Sequence, residues 1–110
     1  MKTLNFFPFY ERYLEQREKT TTFRLNPTAY VPGERVCLTV GWSEQNAKAV
    51  HEAEIVAVYP KNITDLTNDD FEGESPDCKN PEATALVLGC IYRTIVSPER
   101  QIWVVKFKHL

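Results

Sequence analysis

The segment Glu18-Lys19-Thr20-Thr21-Thr22-Phe23-Arg24 puts one amine, three hydroxyls and one guanidinium into a short stretch beside an apolar segment. A lysine near a threonine hydroxyl makes a base–nucleophile pair if burial lowers the lysine pKa. The arginine is a fixed-charge donor, suited to a carbonyl oxygen or a phosphate. Taken alone, such a run also fits a solvated strand start, because lysine and threonine commonly occupy exposed strands.

The elements that must position these groups are legible from pattern. Pro8 suits the first turn of a helix, and Phe9, Tyr10, Tyr13 and Leu14 recur at helical spacing, so a short helix ending near Glu18 is expected. Thr20 to Leu25 favours a strand, with Thr20, Thr22 and Arg24 facing one way and Thr21, Phe23 and Leu25 the other. Arg35 to Trp42 alternates as a half-buried strand. Ala49 to Tyr59 alternates less cleanly and is expected to be interrupted at Pro60-Lys61-Asn62. Thr67 can cap a short helix over Asn68 to Glu72, with Gly73 ending it. Ser75 to Asn80 reads as a loop, and Asn80-Pro81 opens a second helix through Ile91. Gln101 to Leu110 is a last strand, with Ile102, Val104, Lys106 and Lys108 opposite Trp103, Val105, Phe107 and His109. The architecture expected is α+β: a small, barrel-like sheet of mostly antiparallel strands with a few short helices.

Composition sets outer limits. The 110 residues are the length of one domain, residues 1–110, with one core. Thirteen basic against fifteen acidic side chains give a net charge of -2, so bulk charge offers no support for nonspecific polyanion binding. Cys37, Cys78 and Cys90 are odd in number and lack close ligand spacing, which argues against a disulfide framework. No apolar run approaches the ~18 residues of a membrane span, no signal peptide is legible at the amino terminus, and the chain reads as cytoplasmic. Phe6, Phe7, Phe9, Tyr10 and Tyr13 are expected as core with one ring reaching a pocket. Trp42 and Trp103 read as core or barrel wall, and His51 and His109 as exposed or minor packing groups.

The order of these segments is familiar. Lys19-Thr20-Thr21-Thr22-Phe23-Arg24 after a helix, then Tyr30-Val31-Pro32-Gly33-Glu34-Arg35-Val36, Glu54-Ile55-Val56-Ala57-Val58, Leu66-Thr67 and Glu72-Gly73-Glu74, resembles the ASCH domains of the PUA-like superfamily over nearly the whole chain. The resemblance is closest to the small bacterial N4-acetylcytidine amidohydrolases, which share a Lys-Thr-x-Thr-x-Arg run and a carboxyl terminus like Val104-Val105-Lys106-Phe107-Lys108-His109-Leu110. It implies a small PUA-like β-barrel. Residue by residue it implies Lys19 as base, Thr22 as nucleophile and Glu74 as acid, with Glu72 the competing assignment for the acid. Arg24 and Thr20, with Glu72, fall at substrate-binding positions. Ser75 to Asn80 is a longer loop than the small enzymes carry and would reshape the pocket edge.

That chemistry is cleavage of an amide whose leaving group is the exocyclic amine of cytosine. Thr22 would attack the acetyl carbonyl, Lys19 would take its proton, and Glu74 would protonate the departing amine. Arg24 or main-chain N–H groups would hold the oxyanion, at ~3–4 kcal/mol per donor. No metal or cofactor is required, and the partner implied is a small-molecule nucleoside. The alternative from the wider superfamily is a noncatalytic module that binds RNA or a modified nucleotide. Because Lys19 and Thr22 would face opposite ways on a regular strand, the pairing requires Lys19 to sit in the helix–strand junction.

Overall fold

A computed structural model describes residues 1–78 and 80–110; Lys79, within the loop read over Ser75 to Asn80, lies outside the described residues. The strands are β1 (Lys2–Phe6), β2 (Thr21–Arg24), β3 (Arg35–Val40), β4 (Lys48–Asn62) and β5 (Gln101–His109). The helices are α1 (Glu11–Glu15), α2 (Asn68–Phe71) and α3 (Pro81–Tyr92), and a 3-10 turn over Pro8–Tyr10 leads into α1. The sheet has five strands in the order β1-β3-β4-β5-β2. Only the β1–β3 pairing is parallel; β3–β4, β4–β5 and β5–β2 are antiparallel. The α+β, barrel-like expectation therefore holds, as an open half-barrel with β1 and β2 on its edges.

Where the length suggests one core, the sheet divides the buried residues into two clusters, one on each face. Leu4, Phe6, Tyr10, Leu14, Val36, Leu38, Val40, Ala53, Ile55, Val105 and Phe107 form one cluster. Phe23, Leu25, Ile63, Leu66, Ala85, Leu88, Val96, Ile102 and Val104 form the other, with α3 packed over it. β5 contributes alternate residues to both, as its sequence pattern predicts. Side chains such as Leu4, Leu14, Ile63 and Ile102 are fully buried, each worth ~1.5–3 kcal/mol of hydrophobic stabilisation.

Four sequence expectations are corrected. The first helix stops at Glu15 rather than near Glu18 because Arg17 takes a left-handed φ of 62°. Glu18 N–H then bonds Tyr13 O at 2.9 Å and Arg17 N–H bonds Leu14 O at 3.0 Å, a Schellman ending whose left-handed residue is not a glycine. β4 runs through Pro60 to Asn62. Beyond Ile55, whose main chain still bonds Gly33 and Glu34, it pairs only with β5, so that stretch has one free side, where a missing N–H is tolerated. Its irregular alternation has a cause: the β4–β5 register shifts between Ile55 and Ala57, and Val56 is half exposed. β1 is an additional strand. Trp42 is 72% exposed, not core.

The three cysteines are free thiols. No helix among the described residues is long and apolar enough to cross a membrane.

Candidate functional site

The turn after α1 drops the chain into the interior just before β2. Lys19, in that junction, is 3% exposed although it carries a formal charge. The entry to β2 is fastened to the segment after α2. Thr20 N–H and Thr21 N–H both donate to Gly73 O, at 2.8 and 3.1 Å, and Thr21 Oγ1 donates to Glu72 O at 2.6 Å. Lys106 Nζ, on β5, reaches Thr21 Oγ1 at 3.1 Å and Asp69 O at 2.8 Å. Gly73 is required twice over. Its φ is +82°, and a Cβ there would meet Thr20 Oγ1 at 1.9 Å. This close crossing lays Glu74 against Lys19.

Lys19 Nζ donates to Glu74 Oε1 and, at 2.9 Å, to Ser75 Oγ. The same carboxylate oxygen accepts Ser75 N–H at 2.7 Å. The two side chains are 2% and 4% exposed. The ammonium also lies 4.9 Å from the Tyr10 ring centroid and 5.7 Å from that of Phe6. Desolvating such a pair costs several kcal/mol per ion, which makes it a poor stabilising device and a plausible chemical one.

Phe6 and Tyr10 face a cleft of about 790 Å³ as well as the ion pair. Thr22 and Arg24 line the same cleft, with Asn5, Phe7, Phe9, Trp42 and Glu44 on one side and Cys90 to Arg93 from the end of α3 on the other. Phe7 and Trp42 have ring centroids 5.3 Å apart, and Phe9 and Trp42 6.5 Å. Such a wall suits a planar aromatic ligand. Arg24 stacks over Phe6 at 4.9 Å and donates from Nη2 to Asn5 O at 2.8 Å; its Nε is buried without a partner among the described residues.

The sequence-derived residues are therefore placed as follows. Lys19 pairs with Glu74 behind the cleft lining, while Thr22 and Arg24 line the cleft, and the Phe6 and Tyr10 rings lie between the two groups. No hydrogen bond joins Lys19 to Thr22. Thr20 lies against Gly73, outside the cleft lining. The Glu72 side chain is exposed, and that residue contributes its main-chain carbonyl to Thr21.

Two contributors had no sequence signal of their own. Ser75 is a buried partner of the Lys19 ammonium. Asp77 accepts the Tyr10 hydroxyl at 2.7 Å, so the long loop contacts a ring that lines the cleft without lining the cleft itself. Burial first, and then the bond to Asp77, push the Tyr10 phenol well above its ordinary value, keeping it a neutral donor. Burial, with Glu74 and Asp77 nearby, likewise pushes the Cys78 thiol far up, which disqualifies it as a thiolate nucleophile. Among the described residues no three His, Cys, Asp or Glu side chains converge as metal ligands.

No protein-family model matches the chain, and no curated protein does. Solved structures are similar. A protein from Enterococcus faecalis under the family model DUF984 superposes with a TM-score of 0.69 at 11% identity, over 93% of this chain and 70% of its own. An ASCH domain from Lactobacillus crispatus gives 0.66 at 13% identity, over 98% and 79%. A mutant of the ASCH protein from Zymomonas mobilis gives 0.64 at 9%, over 96% and 67%. At these identities the likeness establishes the fold: the chain folds as an ASCH domain.

Proposed function

We propose that this ASCH-fold chain is an amidohydrolase that removes the N4-acyl group of N4-acetylcytidine or a related modified nucleoside. The observation that carries the reading is the buried Lys19–Glu74 pair, held by Ser75 and set against two rings that also wall the cleft receiving Thr22 and Arg24. The aromatic wall of Phe7, Phe9 and Trp42 supplies the stacking surface for a pyrimidine.

The route requires the proton between Lys19 and Glu74 to sit on Glu74 when it begins. Lys19, as the amine, then takes the proton of the Thr22 hydroxyl as Oγ1 adds to the acyl carbonyl. Arg24 is the cationic donor on the cleft side for the oxyanion. The C–N4 bond then breaks, Glu74 gives its proton to the departing amine, and cytidine leaves an acyl ester on Thr22. Water attacks that ester, giving up a proton to the Glu74 carboxylate. The ester C–O bond breaks, Lys19 returns a proton to Thr22 Oγ1, and the carboxylic acid is released. Mixing enzyme with excess N4-acetylcytidine and quenching early should add one acetyl group to a peptide containing Thr22. Turnover without acetylation at Thr22 would remove the covalent route.

The second reading is a noncatalytic module for RNA or a modified nucleotide. Trp42 and Phe9, 72% and 54% exposed, favour it as a stacking platform at the cleft mouth. Affinity for RNA that falls steeply with salt, without turnover, would select this reading.

A further inference from the structure

His109 and His51, from β5 and β4, are in contact: His51 Nε2 and His109 Nδ1 are 2.6 Å apart, with ring centroids at 4.9 Å. His109 Nε2 lies 2.7 Å from the main-chain carbonyl oxygen of Lys19. A carbonyl can only accept, so His109 carries its hydrogen on Nε2. In the neutral ring Nδ1 is then bare and accepts from Nε2–H of His51. The donors run one way, from His51 to His109 to Lys19. The neighbouring peptide groups are fixed by main chain: Glu18 N–H and Lys19 N–H by Tyr13 O, and Thr20 N–H by Gly73 O. At the Lys19 carbonyl the holding group is a side chain.

We propose that His109 is a positioning residue for Lys19, with His51 fixing the tautomer that donates to the Lys19 carbonyl. The proposal rests on the amidohydrolase reading for its catalytic consequence, since rotation of this peptide would move the Lys19 stem relative to Thr22. Its structural part stands without that reading.

The surroundings disfavour charge on the pair. Burial lowers the pKa of both rings, and the Arg17 guanidinium lowers both further; the bond to Lys19 opposes this at His109. Arg17 approaches from the α1–β2 connection and donates to Leu110 O at 3.1 Å. The Glu52 carboxylate is turned to Arg35 at 3.6 Å, and the other neighbour of His109 is the uncharged Phe107 ring at 5.5 Å. One added proton is accommodated, because the His109 cation can donate from both nitrogens once His51 switches tautomer. A second sets N–H against N–H and forces the rings apart.

The test compares wild type, His109→Gln and His109→Leu for N4-acetylcytidine hydrolysis across pH 5 to 9. ¹⁵N shifts of the His109 ring and the ¹³C shift of the Lys19 carbonyl are recorded on the same samples. Glutamine keeps a neutral N–H donor but cannot take up a proton in this range. The expected result is a loss of about 10- to 100-fold in kcat for His109→Leu with KM within about twofold, as for other groups that orient a catalytic side chain. His109→Gln should recover kcat to within about threefold and lack the acid limb of the histidine pair. Unchanged kcat in His109→Leu, or equal losses in both variants, would overturn the proposal while leaving the hydrolase reading intact. If wild type shows no turnover, that reading fails and the spectra decide. A protonated Nε2 at His109, and a Lys19 carbonyl shift that moves with leucine and returns with glutamine, support the positioning contact; an Nδ1–H tautomer overturns it.

Discussion

Arg24 on β2 donates from Nη2 to the main-chain carbonyl of Asn5 on β1, at 2.8 Å, so one side chain ties together the two edge strands of the open sheet. The same guanidinium lies over Phe6 and lines the cleft. Arg24→Met keeps most of the packing and removes the tie. It should lower stability by about 1.5–3 kcal/mol, the range for a hydrogen bond to a charged group. Urea unfolding reads this directly, and a cost below about 0.5 kcal/mol would mean the strands are held without it.

The Lys19–Glu74 pair separates stability from function. Glu74→Ala leaves a buried ammonium without its counter-charge and should cost about 3–5 kcal/mol. Lys19→Met combined with Glu74→Leu replaces both charges by apolar groups and should regain much of that loss while remaining inactive. Calorimetry of the single and double variants checks the sign. A double variant no more stable than Glu74→Ala would argue that the pair is structural.

Asp70 makes the anchor of α2 sensitive to acid. Burial would raise its pKa, but Lys61 Nζ at 2.6 Å, Tyr59 OH at 2.5 Å and two donors of Thr67 overcome this and hold it at about 2, below the 3.8 of a free aspartate. A depressed carboxylate contributes stability that is full above the unfolded value and is lost as pH falls through the folded one. Thermal unfolding of the wild type should therefore weaken between about pH 4 and pH 2, while Asp70→Asn should be weaker at neutral pH and flatter over that window. Because α2 carries Glu72 to Glu74 onto β2, the same acid step should loosen the site.

Trp42 makes contact mainly with other cleft rings and is largely exposed, so Trp42→Ala should change stability by less than about 0.5 kcal/mol. Loss of one base-stacking surface, worth about 1–3 kcal/mol, should raise KM for a nucleoside by roughly 5- to 150-fold. Unchanged KM would place the base elsewhere in the cleft.

What the sequence revealed and what it hid divide along physical lines. The alternation of β5, the Asn80-Pro81 helix start and the facing of Thr22 and Arg24 were legible because each depends on local pattern or local chemistry. The early end of α1 was not, since the left-handed position is Arg17 rather than glycine. Pro60 reads as a strand breaker unless the free side of β4 is known, which depends on where β3 begins. Lys19 and Glu74 could be matched by resemblance. Their burial against each other depends on the Gly73–Thr20 crossing, a contact between segments far apart in the chain. Trp42 was misread for the same reason: its place on an alternating strand assigns it to the core or barrel wall, and tertiary packing leaves it 72% exposed.

The most direct measurement is cytidine release from N4-acetylcytidine by wild type beside Thr22→Val, which keeps the shape of the side chain and deletes only the hydroxyl. The account predicts turnover by wild type and none above background in the valine variant, with both proteins unfolding cooperatively. Folded wild-type protein that releases no cytidine, or a valine variant that releases it as fast as wild type, would contradict the account.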